Sequence, residues 1–396
     1  MSFRTTGRSR VRLNRLAVLV IGVVVACTAT PSPAATPTAS PAATEAPSPA
    51  ASPTATATPQ PTTWPLTGMP LNGGDPSLRP IAVRFDNALP AQPQAGLNSA
   101  DMVFDTLIEA CVSRLLAVYQ SKSADPVGAI RSARLYDLQL MPLFRAALAH
   151  VGAADEVSQM LKDKSASGAF VDIDAYKYND YPAYASFYWR VGYKSAPYNE
   201  YSSIPSLRKA AATAPGGSDA VTVPDWGFLP QDHQPLDGGF AASAAGTKFS
   251  FPASNGQACP QGQNIAGYRD EYAPTYTYDA AAAGYRRAAN GRNTMDETTK
   301  QPVLAKNVLI IYTDLSVTDI VESQGSWGVA YSILPHTTGS GRLLAYRDGR
   351  KLEGTWMRAD DTSPFVFTSG AGERIFLSPG QTWIHIVPSY WSLSTP

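Results

Sequence analysis

The segment 28–63 limits how much of this chain can fold. It consists almost wholly of Thr, Ala, Pro and Ser, and Glu45 is its only charged residue. Such a composition cannot build a hydrophobic core, and its prolines favour extended polyproline geometry. At ~3.1 Å per residue the segment can reach on the order of 100 Å. We therefore expect residues 27–63 to form a disordered stalk and the folded body to begin near Trp64.

The residues before the stalk predict an exported protein with a lipid anchor. An arginine-rich start precedes the apolar run 16–26, which has the length of a signal peptide and is too short to span a bilayer. The run ends in Val24-Val25-Ala26-Cys27, which resembles the lipobox of bacterial lipoproteins. We expect residues 1–26 to be removed and Cys27 to carry lipid on the extracytoplasmic face of the bacterial cytoplasmic membrane. An ordinary secretory signal with a chance cysteine is the alternative.

The charge balance argues against nucleic acid as a partner. Lys plus Arg and Asp plus Glu both number 32, but five of the arginines lie in the segment expected to be cleaved. The remainder would hold 27 basic and 32 acidic residues. Broad nucleic-acid binding needs a basic surface, which this balance does not provide.

The remaining chain shows two kinds of patterning. In 64–213, short apolar strands alternate with helices, which predicts an α/β domain with a mixed sheet. Residues 214–273 begin rich in Gly, Pro and Ser and are interpreted as a linker and irregular region. The last part, 274–396, predicts a β-rich domain with a sandwich or barrel-like sheet. Its apolar runs, separated by turn residues, are NVLIIY, GVAYSIL, RLLAYRDG, PFVFTSG, RIFLSPG and TWIHIVP.

Polar residues stand at the ends of three predicted strands of the α/β region. Asp86 and Asn87 follow IAVRF, Arg131 and Ser132 follow VGAI, and His150 ends a third apolar run. Ligands of open α/β sheets collect at the carboxyl ends of strands. We therefore predict that these residues contribute to one binding site.

The two arginines of VGAIRSARLYDL suggest what that site binds. We expect a helix to begin at Ser132, which would place Arg131 and Arg134 together around its first turn. A helix N-terminus already favours an anion, so further positive charge there is unfavourable unless an anion is bound. Guanidinium groups hold carboxylate or phosphate in a bidentate manner, which predicts an anion site. The alternative is internal pairing, of Arg134 with Asp137 and of Arg131 with Asp125, Asp86 or Glu109.

Catalysis is the second functional hypothesis. Asp86, Glu109 or His150 would act as acid or base in a hydrolase or transferase of the cell wall, and two carboxylates about 5–9 Å apart would favour a glycosidase. A triad of Ser132, His150 and Asp86 is disfavoured, because the chain has no G-x-S-x-G nucleophile elbow.

No cofactor or metal is predicted. The four histidines, His150, His233, His336 and His385, lack a ligand spacing such as H-x-x-x-H. The thiols of Cys111 and Cys259 either pair in an oxidising compartment or remain unpaired, with Cys111 buried.

Six segments of the chain carry a family resemblance: 65–121, 127–138, APYNEYSS (196–203), 278–311, 342–356 and 377–388. In order and spacing they resemble the YerB-like bacterial lipoproteins, a family defined by domain of unknown function 3048. The resemblance implies the α/β and β-rich pair of domains and a surface-anchored lipoprotein of the cell envelope, and it implies no reaction.

The family pattern also has recurrent polar positions. In this chain they are occupied by Asp86, Asn87, Arg114, Arg131, Ser132, Arg134, His150, Asn199 and Tyr201. Tyr198 and Thr294 stand where the resemblance leads us to expect histidines, and Ala110 and Cys111 replace a glycine pair. Losing histidines would remove metal or general-base chemistry, whereas a binding site tolerates the exchange. We therefore expect a non-catalytic module that binds an anionic wall component or an envelope protein.

Overall fold

The computed structural model describes residues 61–251, 273–289, 291–326 and 328–394. These residues belong to one compact unit. The predicted signal peptide, Cys27, nearly all of the stalk and Cys259 lie outside the described residues. Within the described ranges, no helix is both long enough and apolar enough to cross a membrane.

The secondary structure follows chain order, with helices confined to the first part of the described chain. The helices are α1 (Asp137–Phe144), α2 (Asp155–Ala166) and α3 (Ile204–Thr213). The strands before residue 251 are β1 (Ile81–Asp86), β2 (Met102–Leu107), β3 (Ser113–Tyr119), β4 (Val127–Gly128), β5 (Ala147–His150), β6 (Val171–Asp174), β7 (Trp189–Arg190), β8 (Glu200–Ser202), β9 (Ala244–Ala245) and β10 (Lys248–Ser250). The later strands are β11 (Pro274–Asp279), β12 (Gly284–Ala289), β13 (Arg292–Asn293), β14 (Leu304–Ala305), β15 (Asn307–Thr313), β16 (Leu315–Gly325), β17 (Gly328–Pro335), β18 (Gly339–Arg347), β19 (Arg350–Arg358), β20 (Val366–Ser369) and β21 (Thr382–Pro388).

One mixed sheet runs through the molecule. Eleven of the described strands form it, in the order β20-β19-β18-β15-β21-β2-β3-β1-β5-β6, with β9 paired to β19. β1 is antiparallel to β3 and parallel to β5, and β21 lies between β15 and β2, parallel to both. The predicted fold class is confirmed, since the first region combines a mixed sheet with helices and the last is largely strands. The domain bounds stay a prediction, and strands from both regions share the sheet.

Both faces of the sheet are covered. Side chains alternate between the two faces of a strand, and along β15 Val308 and Ile310 enter one core whereas Leu309 and Ile311 enter the other. The first core is closed by α3 and by a smaller sheet, β10-β11-β12-β13 with β14 on β12. The second is closed by α1, α2 and the loop that carries Trp226. The sheet is therefore packed on both faces beneath the loops at its strand ends.

The helix predicted to begin at Ser132 begins at Asp137 instead. Residues 130–134 are extended because neighbouring segments hold their backbone, for example through the bond from Arg131 N to the carbonyl of Arg84 (2.9 Å). Arg131 and Arg134 therefore do not flank a helix N-terminus, and that part of the prediction was wrong.

The predicted strand RIFLSPG was also wrong. Residues 374–380 form only isolated bridges. Their backbone pairs with an irregular loop, since Leu377 N donates to Gly227 O (2.9 Å) and Phe376 N donates to Gly238 O (3.0 Å). A strand needs a regular partner for a continuous series of hydrogen bonds. This run pairs with an irregular loop, so it forms no strand although its hydrophobicity matches that of one.

Candidate functional site

A cavity of about 700 Å³ lies at the carboxyl end of β1. Its walls come from the turn between β2 and β3, the extended segment 130–134, the start of α2 and strand β16. Its charged lining residues are Asp86, Glu109, Arg114, Arg131, Arg134 and Glu322. The remaining lining is small, polar or aromatic: Ala88, Pro90, Ala110, Val112, Ser113, Ser132, Ala153, Ala154, Tyr198 and Ser323. The cavity thus brings together five of the sequence-predicted site residues, Asp86, Arg114, Arg131, Ser132 and Arg134.

Strand register explains this convergence. In the β1–β3 ladder Asp86 stands opposite Arg114. An antiparallel bridge between Phe85 and Ile130 places Ala129 opposite Asp86 and Arg131 opposite Arg84, and the Arg131 side chain reaches Asp86 from there. Residues distant in sequence therefore meet at the carboxyl end of β1.

Two of the three arginines are hydrogen-bonded to carboxylates of the protein. Arg131 Nε lies 2.7 Å from Asp86 Oδ2. Arg134 Nε donates to Glu109 Oε2 (2.7 Å) and lies 3.5 Å from Glu322 Oε2. The predicted alternative of an Arg131–Asp86 pair is therefore present in the structure. The predicted partner of Arg134, Asp137, makes its ion pair with Arg84 instead.

The pKa values show how the arginine and the two glutamates interact. Burial lowers the pKa of Arg134, but the carboxylates of Glu109 and Glu322 outweigh burial and raise it. Burial alone would raise the pKa of Glu109, yet the Arg134 guanidinium holds it below its usual range. Burial raises the pKa of Glu322, with Arg134 opposing and Glu109 adding to the rise. Of the two carboxyl groups, Glu322 takes up a proton more readily.

Arg114 is the least satisfied cation of the cavity. The residue is 5% exposed, and its Nη1 donates to the carbonyl of Ser132 at 3.1 Å. Its nearest carboxylate oxygen in an ion pair, Asp86 Oδ2, is 4.0 Å from Nη2. Its Nε is buried without an acceptor in the described part of the chain. Burial, followed by the nearby Arg134 guanidinium, lowers the pKa of Arg114 to about 10, so the group remains charged at neutral pH.

Asn87 lies behind the cavity wall. Its amide donates to Ser113 Oγ (2.6 Å), and its Oδ1 accepts from Gln94 Nε2 (3.1 Å). Ser113 lines the cavity, whereas Asn87 does not. Asn87 therefore positions a lining hydroxyl.

His150 belongs to a separate buried charge cluster. Its Nε2 lies 2.6 Å from Asp172 Oδ1, and Lys162 Nζ lies 2.5 Å from Asp172 Oδ2. Asp174 completes the group, 3.6 Å from Lys162 Nζ. Burial lowers the pKa of His150, but Asp174 and Asp172 outweigh it and raise the pKa to about 9. The ring does not line the cavity.

Asn199 and Tyr201 also lie outside the cavity lining. The Oδ1 atom of Asn199 accepts from Arg190 Nη1 at 2.8 Å. Tyr201 is buried with its ring against Gly128, where an added Cβ would lie 2.5 Å from ring carbons. Its hydroxyl donates to Glu297 Oε2 (2.8 Å). Tyr201 thus fixes the local backbone.

The positions that depart from the family pattern are divided between two places. Tyr198 lines the cavity, with the Arg131 guanidinium 5.9 Å from its ring centroid. Thr294 lies in another buried cluster, where it accepts from Arg287 Nη1 (2.8 Å), and Arg287 pairs with Asp105 (3.3 Å). Burial raises the pKa of Asp105 to about 6 against the opposing effect of Arg287. No group of three or more His, Cys, Asp or Glu among the described residues is arranged to hold a metal.

Sequence reasoning missed the strand that supplies Glu322 and Ser323. β16 and β17 form a two-stranded hairpin, and the Glu322 side chain is 1% exposed beneath it. Ser332 Oγ on the partner strand donates to Glu322 Oε1 (2.6 Å). Register shifts on either side of Val321 interrupt the ladder. Such bulges break the alternation of period two that would have indicated a strand.

Comparisons with known proteins match two parts of this chain. Residues 66–217 match the N-terminal domain, and residues 264–384 the C-terminal domain, of the protein of unknown function DUF3048. A Bacillus subtilis (strain 168) protein described as "Putative lipoprotein YerB" is 27% identical over 332 residues, which is 82% of this chain and 86% of that protein. The crystal structure of the YerB protein from Bacillus subtilis has the same fold, with a TM-score of 0.64 at 24% identity, covering 84% of this chain and 99% of the other. The chain belongs to the DUF3048 family.

Proposed function

We propose that this protein is a lipid-anchored binding module of the bacterial cell envelope, and that its cavity receives an anionic group, a carboxylate or a phosphate. The anchor is supported by the lipobox-like sequence at Cys27 and by the similarity to a relative described as a lipoprotein. The ligand would then be a wall component or an envelope protein within reach of the stalk.

The observation that carries the proposal is the state of Arg114. A buried charge costs several kcal/mol (~3–5 when its partner is missing) unless it is paired and hydrogen-bonded. Arg114 is charged, buried and incompletely hydrogen-bonded, and it borders a cavity large enough for a ligand. An anion placed there would accept from the guanidinium in the bidentate geometry that carboxylate and phosphate share.

The other cavity charges support the same conclusion. Arg131 has a side chain that is 28% exposed, so a ligand can reach it without displacing Asp86. The lining holds three arginines and three carboxyl groups. When Glu322 takes up a proton, the guanidinium groups outnumber the carboxylates, and the cavity then favours a negative ligand.

The alternative of a wall hydrolase or transferase has less support. Asp86 and Glu109 each lie 2.7 Å from a guanidinium nitrogen, which holds both side chains against the wall. His150 is sealed within its own cluster. These contacts suit carboxylates that position arginines better than carboxylates that transfer protons.

The test is isothermal titration calorimetry. A hexasaccharide that carries a carboxylate on alternate rings is titrated into the purified full chain. We expect Arg114→Met to weaken binding at least tenfold, because charge-assisted hydrogen bonds contribute ~1.5–3 kcal/mol. Arg292→Met, at an exposed arginine of β13, is the matched control and should bind like the wild type. Equal affinity of wild type and Arg114→Met would show that the cavity does not bind this ligand.

A further inference from the structure

One residue of the cavity lining, Tyr198, belongs to an aromatic-rich segment, 176–201. Three of its rings are well exposed, Tyr176 at 51%, Trp189 at 39% and Tyr193 at 64%. Core packing does not account for rings that face solvent. The aromatic residues of the segment are Tyr176, Tyr178, Tyr181, Tyr184, Phe187, Tyr188, Trp189, Tyr193, Tyr198 and Tyr201.

A chain of contacts joins Tyr176 to the cavity wall. Tyr198 lines the wall, and its neighbour Asn199 accepts a hydrogen bond from Arg190. Arg190 Nη2 donates in turn to the Tyr176 hydroxyl at 3.1 Å. Arg190 is also anchored to Glu200 by a 2.8 Å ion pair. The Tyr176 hydroxyl is therefore tied to the segment that carries the lining residue Tyr198.

The Tyr176 ring also contacts the backbone that leads into the cavity lining. The ring lies against Gly152, where an added Cβ would be 3.3 Å from ring carbon Cδ2. Gly152 adopts a φ of 67°, and the next residue, Ala153, lines the cavity. The ring is thus fixed at two points while about half of its surface stays open, which reduces the entropy cost of binding a ligand.

The composition of the lining indicates what kind of anion fits. Three carboxyl groups stand among the three arginines, and they would repel a polymer with a charge on every unit. A ligand with isolated charges meets the arginines without this penalty. The hydroxyls of Ser113, Ser132 and Ser323 offer donors and acceptors to neutral polar groups.

We propose that the ligand is an acidic glycan with isolated anionic groups, one of which enters at Arg114 and Arg131 while a neighbouring sugar ring stacks on Tyr176. A pyranose ring presents a C–H face to an aromatic ring and hydroxyls at its edge, which suits an exposed tyrosine beside polar side chains. This inference rests on the proposed anion site and adds the chemical class of the molecule that carries the anion.

The test compares three probes on the full chain by calorimetry. They are the hexasaccharide with a carboxylate on alternate rings, the same saccharide after reduction of its carboxylates to hydroxymethyl groups, and hexaglutamate. We expect the acidic saccharide to bind at least tenfold more tightly than either of the others. Hexaglutamate has the anions without sugar rings, and the reduced saccharide has the rings without anions.

Variants of Tyr176 test the stacking contact. Tyr176→Ala should weaken binding of the acidic saccharide about fivefold or more, as expected for an aromatic contact of ~1 kcal/mol, and should leave hexaglutamate unchanged. Tyr176→Phe keeps the ring and should retain most of the affinity. Tyr278→Ala, at a partly exposed tyrosine of the smaller sheet, is the control. Urea unfolding of each variant verifies that the fold is intact.

The possible failures separate the two proposals. If hexaglutamate binds as tightly as the acidic saccharide and Tyr176→Ala behaves like the wild type, the glycan is wrong and the anion site stands. If the reduced saccharide binds as tightly as the acidic one, or Arg114→Met changes nothing, the anion site is wrong. Absence of binding by all three probes at millimolar concentration would overturn both.

Discussion

The cavity and the His150 cluster are both built from buried charges, and they differ in the space around them. In the His150 cluster, Lys162 and the imidazole close on Asp172 at 2.5 and 2.6 Å, and these side chains are at most 4% exposed. In the cavity, Arg131 is 28% exposed and Arg114 keeps an unsatisfied Nε beside open volume.

The difference shows that the number of charges does not identify a binding site. Each cluster contains carboxylates matched by cations. In a sealed cluster the charges interact only with one another and stabilise the fold. Unsatisfied donors that border accessible volume can instead form hydrogen bonds with a ligand.

Removing one carboxylate from each cluster should have very different effects. Asp172→Asn removes the nearer of the two carboxylates that Lys162 and His150 share and leaves only Asp174, at 3.6 and 3.8 Å, so we expect a loss of ~3–5 kcal/mol in the free energy of unfolding. Asp86→Asn should cost less than ~1.5 kcal/mol, because the partly exposed Arg131 can be solvated from the cavity, and Arg114, already 4.0 Å from Asp86, keeps its hydrogen bond to the Ser132 carbonyl. Urea unfolding of both variants measures the contrast. Equal losses would mean that the cavity cluster is as sealed as the other.

The pH dependence of stability should reveal the sealed cluster. The pKa of His150 is about 9 in the folded state against an ordinary value of 6.5. Its stabilising contribution is therefore complete below pH 6.5 and is lost as the pH rises through 9, by roughly 3 kcal/mol. Unfolding free energies of the wild type and of His150→Gln between pH 6 and 9.5 measure it. The difference between them should shrink as the pH rises, and a constant difference would contradict this assignment.

Glu322 should compete with the ligand for the cavity arginines. Glu322→Gln removes a carboxylate that faces Arg134, so the affinity for the acidic hexasaccharide should rise about fivefold, the equivalent of ~1 kcal/mol. Glu353→Gln makes the same change in an exposed pair with Arg342 and should leave affinity unaltered. A fall in affinity of Glu322→Gln would instead make this carboxyl group a ligand contact.

The smallest expected effect concerns the turn at the cavity wall. Ala110 adopts a φ of 59° and a ψ of 19°, the left-handed region that favours glycine. Ala110→Gly should stabilise the fold by ~0.5–1 kcal/mol. Ala153→Gly, at a cavity position outside the left-handed region, should destabilise by a similar amount. Thermal unfolding of the two variants should move in opposite directions, and a shared direction would contradict this argument.

The parts of the fold with local signals were predicted well. β1 and β5 are short apolar runs, and each ends at the polar residue that the sequence placed there, Asp86 or His150. The start of α1 was misplaced because backbone bonds from distant strands hold residues 130–134 extended. Local propensity does not contain that information.

For the candidate site, too, some residues were predicted from local sequence and others were not. The rule that ligands bind at the carboxyl ends of strands correctly predicted that Asp86 and Arg131 lie together. Both residues follow apolar runs that end at the same edge of the sheet. The rule also selected His150, which also ends a strand, but its partner Asp172 comes from the next parallel strand and draws it into a closed cluster. Glu322 was missed because a bulged hairpin far along the chain delivers it.

The position of β21 has a consequence for how this molecule can be divided. This late strand inserts between β15 and β2, with Ile384 and Ile386 on one face and Trp383 and Val387 on the other. A fragment that stops before Thr382 would expose β2 as an unprotected edge, a template for intermolecular strand pairing. We therefore expect the N-terminal segment that the family model matches, 66–217, to aggregate when it is produced without the end of the chain.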